Sequence, residues 1–378
     1  MEEVPRSPSM PAGIPGKKPR PRWILSIQAK FWRTLMGIGM FLHKMARPRP
    51  PKPDFTRKIL TTVAKQKGFI TLHFYVPKDW HNRNLESRYP VVVNFHGGGF
   101  TLGSATDDAR WAKVVVQEVN AVVVSVDYRR APEHPFPTAV EDGVDAIVYL
   151  AEHAKEFNLD LDKIAVSGFS SGANMAFTVP LRLQEELEQE LAKDEARRMS
   201  VIEARRPGLQ KAFSEGRILV KASKTIAVKA VVAWYPSVDY THTREQRRAT
   251  CARIDQQLPA VFTDLFDDSY LQPPTMDMAN PYLSPGVAPD HMLAGLPQEI
   301  ILFTCEWDML LAEGIAFRDK LRRLGKTVHY SMVPNAPHGW DKAPNPLKQT
   351  PGVQAQYLKA CDEMKRLLGV NHISEVEE

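Results

Sequence analysis

Residues 163–179 read KIAVSGFSSGANMAFTV: an apolar, β-branched run that ends in a Gly-x-Ser-x-Gly pentapeptide, with helical periodicity directly behind it. A strand that turns this sharply into a helix holds the middle residue in a strained conformation. Side chains two positions before or after the serine would then collide with neighbouring backbone. Only Ser170 has glycine at both such positions, Gly168 and Gly172, so Ser170 is the candidate nucleophile and Ser171 a candidate backbone N–H donor. The bare pentapeptide also fits an ordinary Gly/Ser turn; the strand before it and the helix after it carry the reading.

The same rhythm extends along the chain. Apolar runs occur at 91–95, 121–128, 163–168, 228–236, 299–306 and 327–334, mostly separated by segments with helical periodicity. Continuous β-branched runs alternating with helices predict an α/β fold, with a mostly parallel central sheet buried on both faces and flanked by helices. Before them, residues 58–76 predict two strands joined by a turn at Gly68. Two stretches exceed an ordinary connection. Residues 182–224 form a charged insertion, expected to be a solvated helix with Leu183, Leu187 and Leu191 facing inward, and residues 237–296 have the length of a lid.

A serine hydroxyl is a poor nucleophile, so acyl transfer needs a base, an acid to orient that base, and donors for the oxyanion. HGGGF at 96–100 follows a buried strand and offers the N–H groups of Gly98 and Gly99, joined by that of Ser171. Gly97 belongs to the same loop, and His96 is expected to anchor it by hydrogen bonding. The triad partners follow in the order Ser, Asp/Glu, His. Glu306, Asp308 and Glu313 lie near the end of the 299–306 run, and Asp308 stands in the loop just past it. His329 lies inside the last strand, whereas His338 sits in the loop after it, beside Gly339. Ligands of open α/β sheets bind beyond the carboxyl ends of the strands, which selects Ser170, Asp308 and His338.

The chain has 378 residues, 43% hydrophobic and 25% charged, an ordinary globular balance. Its three cysteines lie far apart with no metal-ligand spacing, so neither a disulfide framework nor a structural metal is expected, and a reducing, cytoplasmic setting is the default. The net charge of +5 is uneven: residues 1–68 hold fifteen Lys/Arg against three Asp/Glu. Residues 1–22 read as a disordered basic tail without the order of a secretory signal, and 371–378 as an acidic tail. Residues 23–45 predict an amphipathic helix with Ile24, Phe31, Leu35, Ile38, Leu42 and Met45 on one face, ended by the prolines of 47–53. Lys30 and Arg33 argue against a membrane span; packing on the protein itself and peripheral membrane contact both stay open. No nucleic-acid motif accompanies the basic surplus.

HGGGF (96–100), DYRRAPEHPFP (127–137), GxSxG (168–172), NPYLSP (280–285), WDML (307–310) with EG (313–314), and HGW (338–340) occur in one order that resembles the hormone-sensitive-lipase-like carboxylesterases of the α/β-hydrolase fold. The resemblance covers roughly residues 70–370. It implies an α/β-hydrolase with a helical cap built from 23–52 and 237–296 on a catalytic domain spanning 53–370, no cofactor, and Asp308 and His338 as acid and base. It also implies a serine hydrolase acting on a small uncharged acyl ester or lactone. Alternatives within the same resemblance are a lipase at membranes, an amide hydrolase or eliminase, and a non-catalytic small-molecule receptor. Phe169, Ser171, Arg130 and Trp340 depart from the family pattern, without removing a catalytic group.

Overall fold

The structure is a computed structural model and describes residues 20–82, 88–204, 226 and 228–369. A hairpin of β1 (Phe55–Leu60) and β2 (Phe69–Tyr75) leads into β3 (Tyr89–Phe95), β4 (Val122–Asp127), β5 (Leu159–Phe169), β6 (Val228–Trp234), β7 (Glu299–Cys305) and β8 (Thr327–Val333). They form an eight-stranded sheet in the order β1-β2-β4-β3-β5-β6-β7-β8, with antiparallel pairing only for β1–β2 and β2–β4. The helices are α1 (Arg22–Met45), α2 (Ala109–Val119), α3 (Thr138–Glu152), α4 (Ser171–Ala204), α5 (Arg244–Ala249), α6 (Ala260–Tyr270), α7 (Asp290–Ala294), α8 (Leu311–Arg323) and α9 (Val353–Leu367).

Strand alternation explains why the apolar runs are continuous. Val91, Val93 and Phe95 of β3 enter one core layer with Val144 of α3 and Phe177 of α4, while Val92 enters the other with Trp111 of α2 and Tyr357 of α9. Both faces of the sheet are therefore covered, and the pattern does not alternate with polar residues. Register aligns the strand ends that matter: Phe95 pairs with Gly168, Phe169 with Trp234, and Cys305 with Val333.

The described part of the charged insertion is helical, as expected, and continues α4: residues 182–204 run on from Ser171 through Pro180, with Leu183 buried and Leu187 and Leu191 half-buried, while 205–224 lie outside the described residues. Two expectations change. Residues 20–22 belong to the fold rather than to a loose tail, because Arg20 pairs with Asp268 at 2.6 Å; residues 1–19 and the tail at 371–378 lie outside the described residues. Helix α1 also docks by a face other than the one expected. Leu25, Ala29, Met40 and His43 are buried, whereas Phe31, Leu35, Ile38 and Met45 of the expected packing stripe are exposed. Arg33, between the two faces, helps hold this rotation, donating to the carbonyls of Thr101 (2.9 Å) and Ala131 (2.7 Å) and pairing with Glu133, as does His43, which accepts from Arg110.

Candidate active site

Ser170 sits where β5 turns into α4, with φ 54°, a left-handed conformation that costs a side-chain-bearing residue energy. Its N–H donates to the Trp234 carbonyl (2.9 Å) and its own carbonyl accepts from Asn174 (3.0 Å), so neighbouring backbone holds the bend from both sides. A Cβ at Gly168 would run into the Gly172 carbonyl oxygen, and one at Gly172 into those of Phe95 and His96. The collisions expected from the pentapeptide are thus backbone collisions, which no side-chain rotation relieves.

The loops after β7 and β8 bring the other two groups to Ser170. The Nε2 of His338 lies 2.8 Å from Ser170 Oγ, and its Nδ1 lies 2.7 Å from Asp308 Oδ2. Asp308 is buried, and its second oxygen accepts from the Leu310 N–H at 3.0 Å. Burial disfavours the imidazolium of His338, but the charge of Asp308 and its hydrogen bond outweigh that effect and hold the pKa above the usual 6.5. Gly339, with φ 69°, makes the bend that follows.

The remaining candidates have other partners. Glu306 accepts from the Asn335 N–H (2.7 Å); together with the bonds from Glu306 N–H to Val333 O and Trp307 N–H to Ala336 O, it stitches the loop after β7 to the loop after β8. Glu313 is buried against Arg247 (3.1 Å) and accepts from Val238 N–H (2.7 Å). His329 pairs with Glu299 at 2.8 Å on β8, in line with a packing role.

The glycine loop crosses the same rim. Gly98 and Gly99 have φ of 115° and 60°, and among the described residues the N–H groups of Gly98, Gly99 and Ser171 donate to no backbone carbonyl. Ser171 opens α4, so its N–H lies at the positive end of a helix dipole. A Cβ at Gly97 would stand 3.0 Å from the Phe169 carbonyl oxygen. His96 is fully buried, stacks on Tyr128 at 4.2 Å and receives the Tyr128 hydroxyl on its carbonyl (2.8 Å); burial lowers its pKa, so it stays neutral and anchors the loop.

An apolar cavity of about 490 Å³ opens over Ser170, His338 and Gly97–Gly99. Its roof is made by Trp32, Met36 and Met40 of α1 and by Phe262 and Phe266 of α6, with Trp32 edge-on to Phe262 at 4.7 Å. On the other side of Ser170 a recess of about 30 Å³ is bounded by Ser237, Tyr240 and Arg244, the last held by Asp267 at 2.6 Å.

A family model described as an alpha/beta hydrolase fold matches residues 92–342, about two thirds of the chain. This chain belongs to that family. Arylacetamide deacetylase-like 2 of Homo sapiens is 29% identical over 307 residues, 71% of each chain. The arylesterase of Saccharolobus solfataricus is 29% identical over 269 residues, 71% of this chain and 74% of that one. The crystal structure of a thermostable esterase from Pseudomonas putida superposes with a TM-score of 0.67 at 26% identity, covering 94% of both chains.

In this α/β-hydrolase a buried polar network lies behind His338, and sequence reading missed it. Asp341 accepts the hydroxyls of Tyr235 and Tyr357, each at 2.5 Å, and pairs with Lys342 at 2.9 Å. Lys342 also reaches Asp108 at 2.8 Å, which accepts from Asn94 Nδ2. Tyr235 places its ring 5.0 Å from that of His338, edge to face. Lys342 lies over the face of Phe169 at 3.8 Å, which gives the apolar residue beside Ser170 a cationic neighbour. The signal available in the sequence was Asp341-Lys342 directly after the HGW motif, two charges too close to a buried loop to be solvated.

Proposed function

We propose that this chain is a carboxylic ester hydrolase that forms an acyl-enzyme on Ser170. His338 takes the hydroxyl proton as Ser170 Oγ attacks the acyl carbon, then returns it to the departing alcohol oxygen. Water repeats the sequence on the acyl-enzyme: His338 takes its proton, the acid leaves, and the proton returns to Ser170. Asp308 fixes the imidazole tautomer and stabilises the imidazolium, while the N–H groups of Gly98, Gly99 and Ser171 hold the oxyanion of both tetrahedral intermediates. The observation that carries the reading is the unbroken chain of hydrogen bonds from Ser170 Oγ through His338 to Asp308.

The two spaces around Ser170 support a reading of the ester. The recess of about 30 Å³ holds a group of methyl size, which suits an acetyl or similarly short acyl chain. The cavity of about 490 Å³, roofed by α1 and α6 as a cap, takes a bulky uncharged alcohol or the ring of a lactone. Chromogenic esters of increasing acyl length, run on wild type and Ser170→Ala, test this. Turnover that falls with acyl length and vanishes in the variant supports it, and equal turnover by the variant removes it.

A further inference from the structure

Helix α1 is apolar on two opposite sides, and among the described residues only one of them is covered. Leu25, Ala29, Trp32, Met36, Met40 and His43 follow three- and four-residue steps and face the protein. Trp23, Ile27, Phe31, Leu35, Ile38, Phe41 and Met45 follow the same steps on the other side and are exposed, Trp23 by 66%, Ile27 by 61% and Phe41 by 64%. A surface helix normally turns polar residues outward, so a second apolar stripe about 33 Å long calls for an apolar medium against it.

We propose that this outer face of α1 lies on an anionic lipid surface. Arg22 and Lys30 on α1, and Arg47, Arg49 and Lys52 in the segment directly after it, are exposed, and among the described residues none forms an ion pair. No Asp or Glu occurs between Glu3 and Asp54, so nothing along the helix repels a negatively charged headgroup. An aromatic and aliphatic face with a cationic border is the composition of a helix lying in the plane of a membrane interface. No helix among the described residues is long and apolar enough to cross a membrane. A second copy is a poor occupant, because two-fold docking of this face on itself brings the two cationic borders together.

The docked geometry has a consequence for the cavity. Leu35 is 41% exposed and also lines the cavity above Ser170, so the wall of the cavity continues into the outer stripe. An apolar ester dissolved in the lipid reaches Ser170 past Leu35 without crossing water.

Vesicle co-sedimentation of the full chain tests the docking, with phosphatidylcholine alone and with added phosphatidylserine. The expected result is binding that strengthens at least about tenfold with phosphatidylserine and weakens with salt. Trp23→Ser/Ile27→Ser/Phe41→Ser should lower it at least about tenfold and leave hydrolysis of a water-soluble acetate ester unchanged. Arg22→Glu/Lys30→Glu, which leaves the apolar stripe intact, should remove only the phosphatidylserine-dependent part. Undiminished sedimentation of both variants would overturn the proposal. So would a wild-type dimer in lipid-free buffer that the triple substitution converts to monomer, since that assigns the face to a second copy. The measurement repeated on Ser170→Ala should give wild-type binding, which keeps the docking separable from the hydrolase reading.

Discussion

The Oγ of Ser170 stands 2.8 Å from the Nε2 of His338, although 168 positions separate them in the chain. That distance allows proton transfer without rearrangement. Ser170→Ala is expected to keep the fold, lose labelling by a fluorophosphonate, and lower kcat by roughly a millionfold. Intact labelling in the variant would place the nucleophile elsewhere.

His338 must be neutral to accept the proton, and its pKa is held above 6.5, burial opposing the shift and Asp308 driving it. The acid limb of kcat/KM should therefore lie above pH 6.5. Asp308→Asn removes the cause, so the limb should move to lower pH while kcat falls by about four orders of magnitude. An unmoved limb in a pH–rate profile would detach the titration from His338. The folded state favours the imidazolium, so the stability contributed by the raised pKa is complete below the unfolded value of about 6.5 and is lost as pH rises through the folded one. Urea midpoints of wild type and His338→Gln should differ more at pH 5 than at pH 9.

Gly172 packs against backbone at Phe95 and His96, which cannot turn aside. Gly172→Ala should destabilise by about 2 kcal/mol or more and displace Ser170 from His338, lowering esterase activity in the fraction that folds. A variant with unchanged melting temperature and unchanged turnover would contradict the close approach.

Lys342 lies between the carboxylates of Asp108 and Asp341, all three buried or nearly so. Lys342→Met leaves both acids without their cation and should cost about 3–5 kcal/mol. Adding Asp108→Asn should restore part of the loss. Chemical denaturation of the single and double variants measures the recovery, and its absence would mean that the charges do not interact.

Met36 lines the roof of the cavity from α1. Met36→Trp fills part of the space above Ser170 and should raise KM for an ester of a bulky alcohol by about tenfold, with little change for the methyl ester of the same acid. Equal effects on both would show that this cavity does not receive the alcohol.

Local chemistry made much of this chain legible. The pentapeptide around Ser170 and the glycine run at 97–99 mark sharp turns because few residues tolerate such backbone, and each adjoins a buried strand readable from its β-branched run. Position relative to a strand end separated Asp308 from Glu306 and His338 from His329. The face of α1 was not legible in the same way. Its two apolar stripes are equally periodic, and contacts with distant segments decide which one turns inward, among them Arg33 with Thr101 and Ala131, His43 with Arg110, and Trp32 with Phe262.

Sequence by itself determined the order of elements and the mostly parallel sheet, and it marked Ser170, Asp308 and His338 as candidates, because each of these readings depends on residues adjacent in the chain. Tertiary structure alone decided three things: that Lys342 joins the buried carboxylates of Asp341 and Asp108, that Glu306 ties two loops together, and that among the described residues no protein covers the outer stripe of α1. All three depend on contacts between segments far apart in the chain, where a residue's type leaves open which of several compatible neighbours it meets.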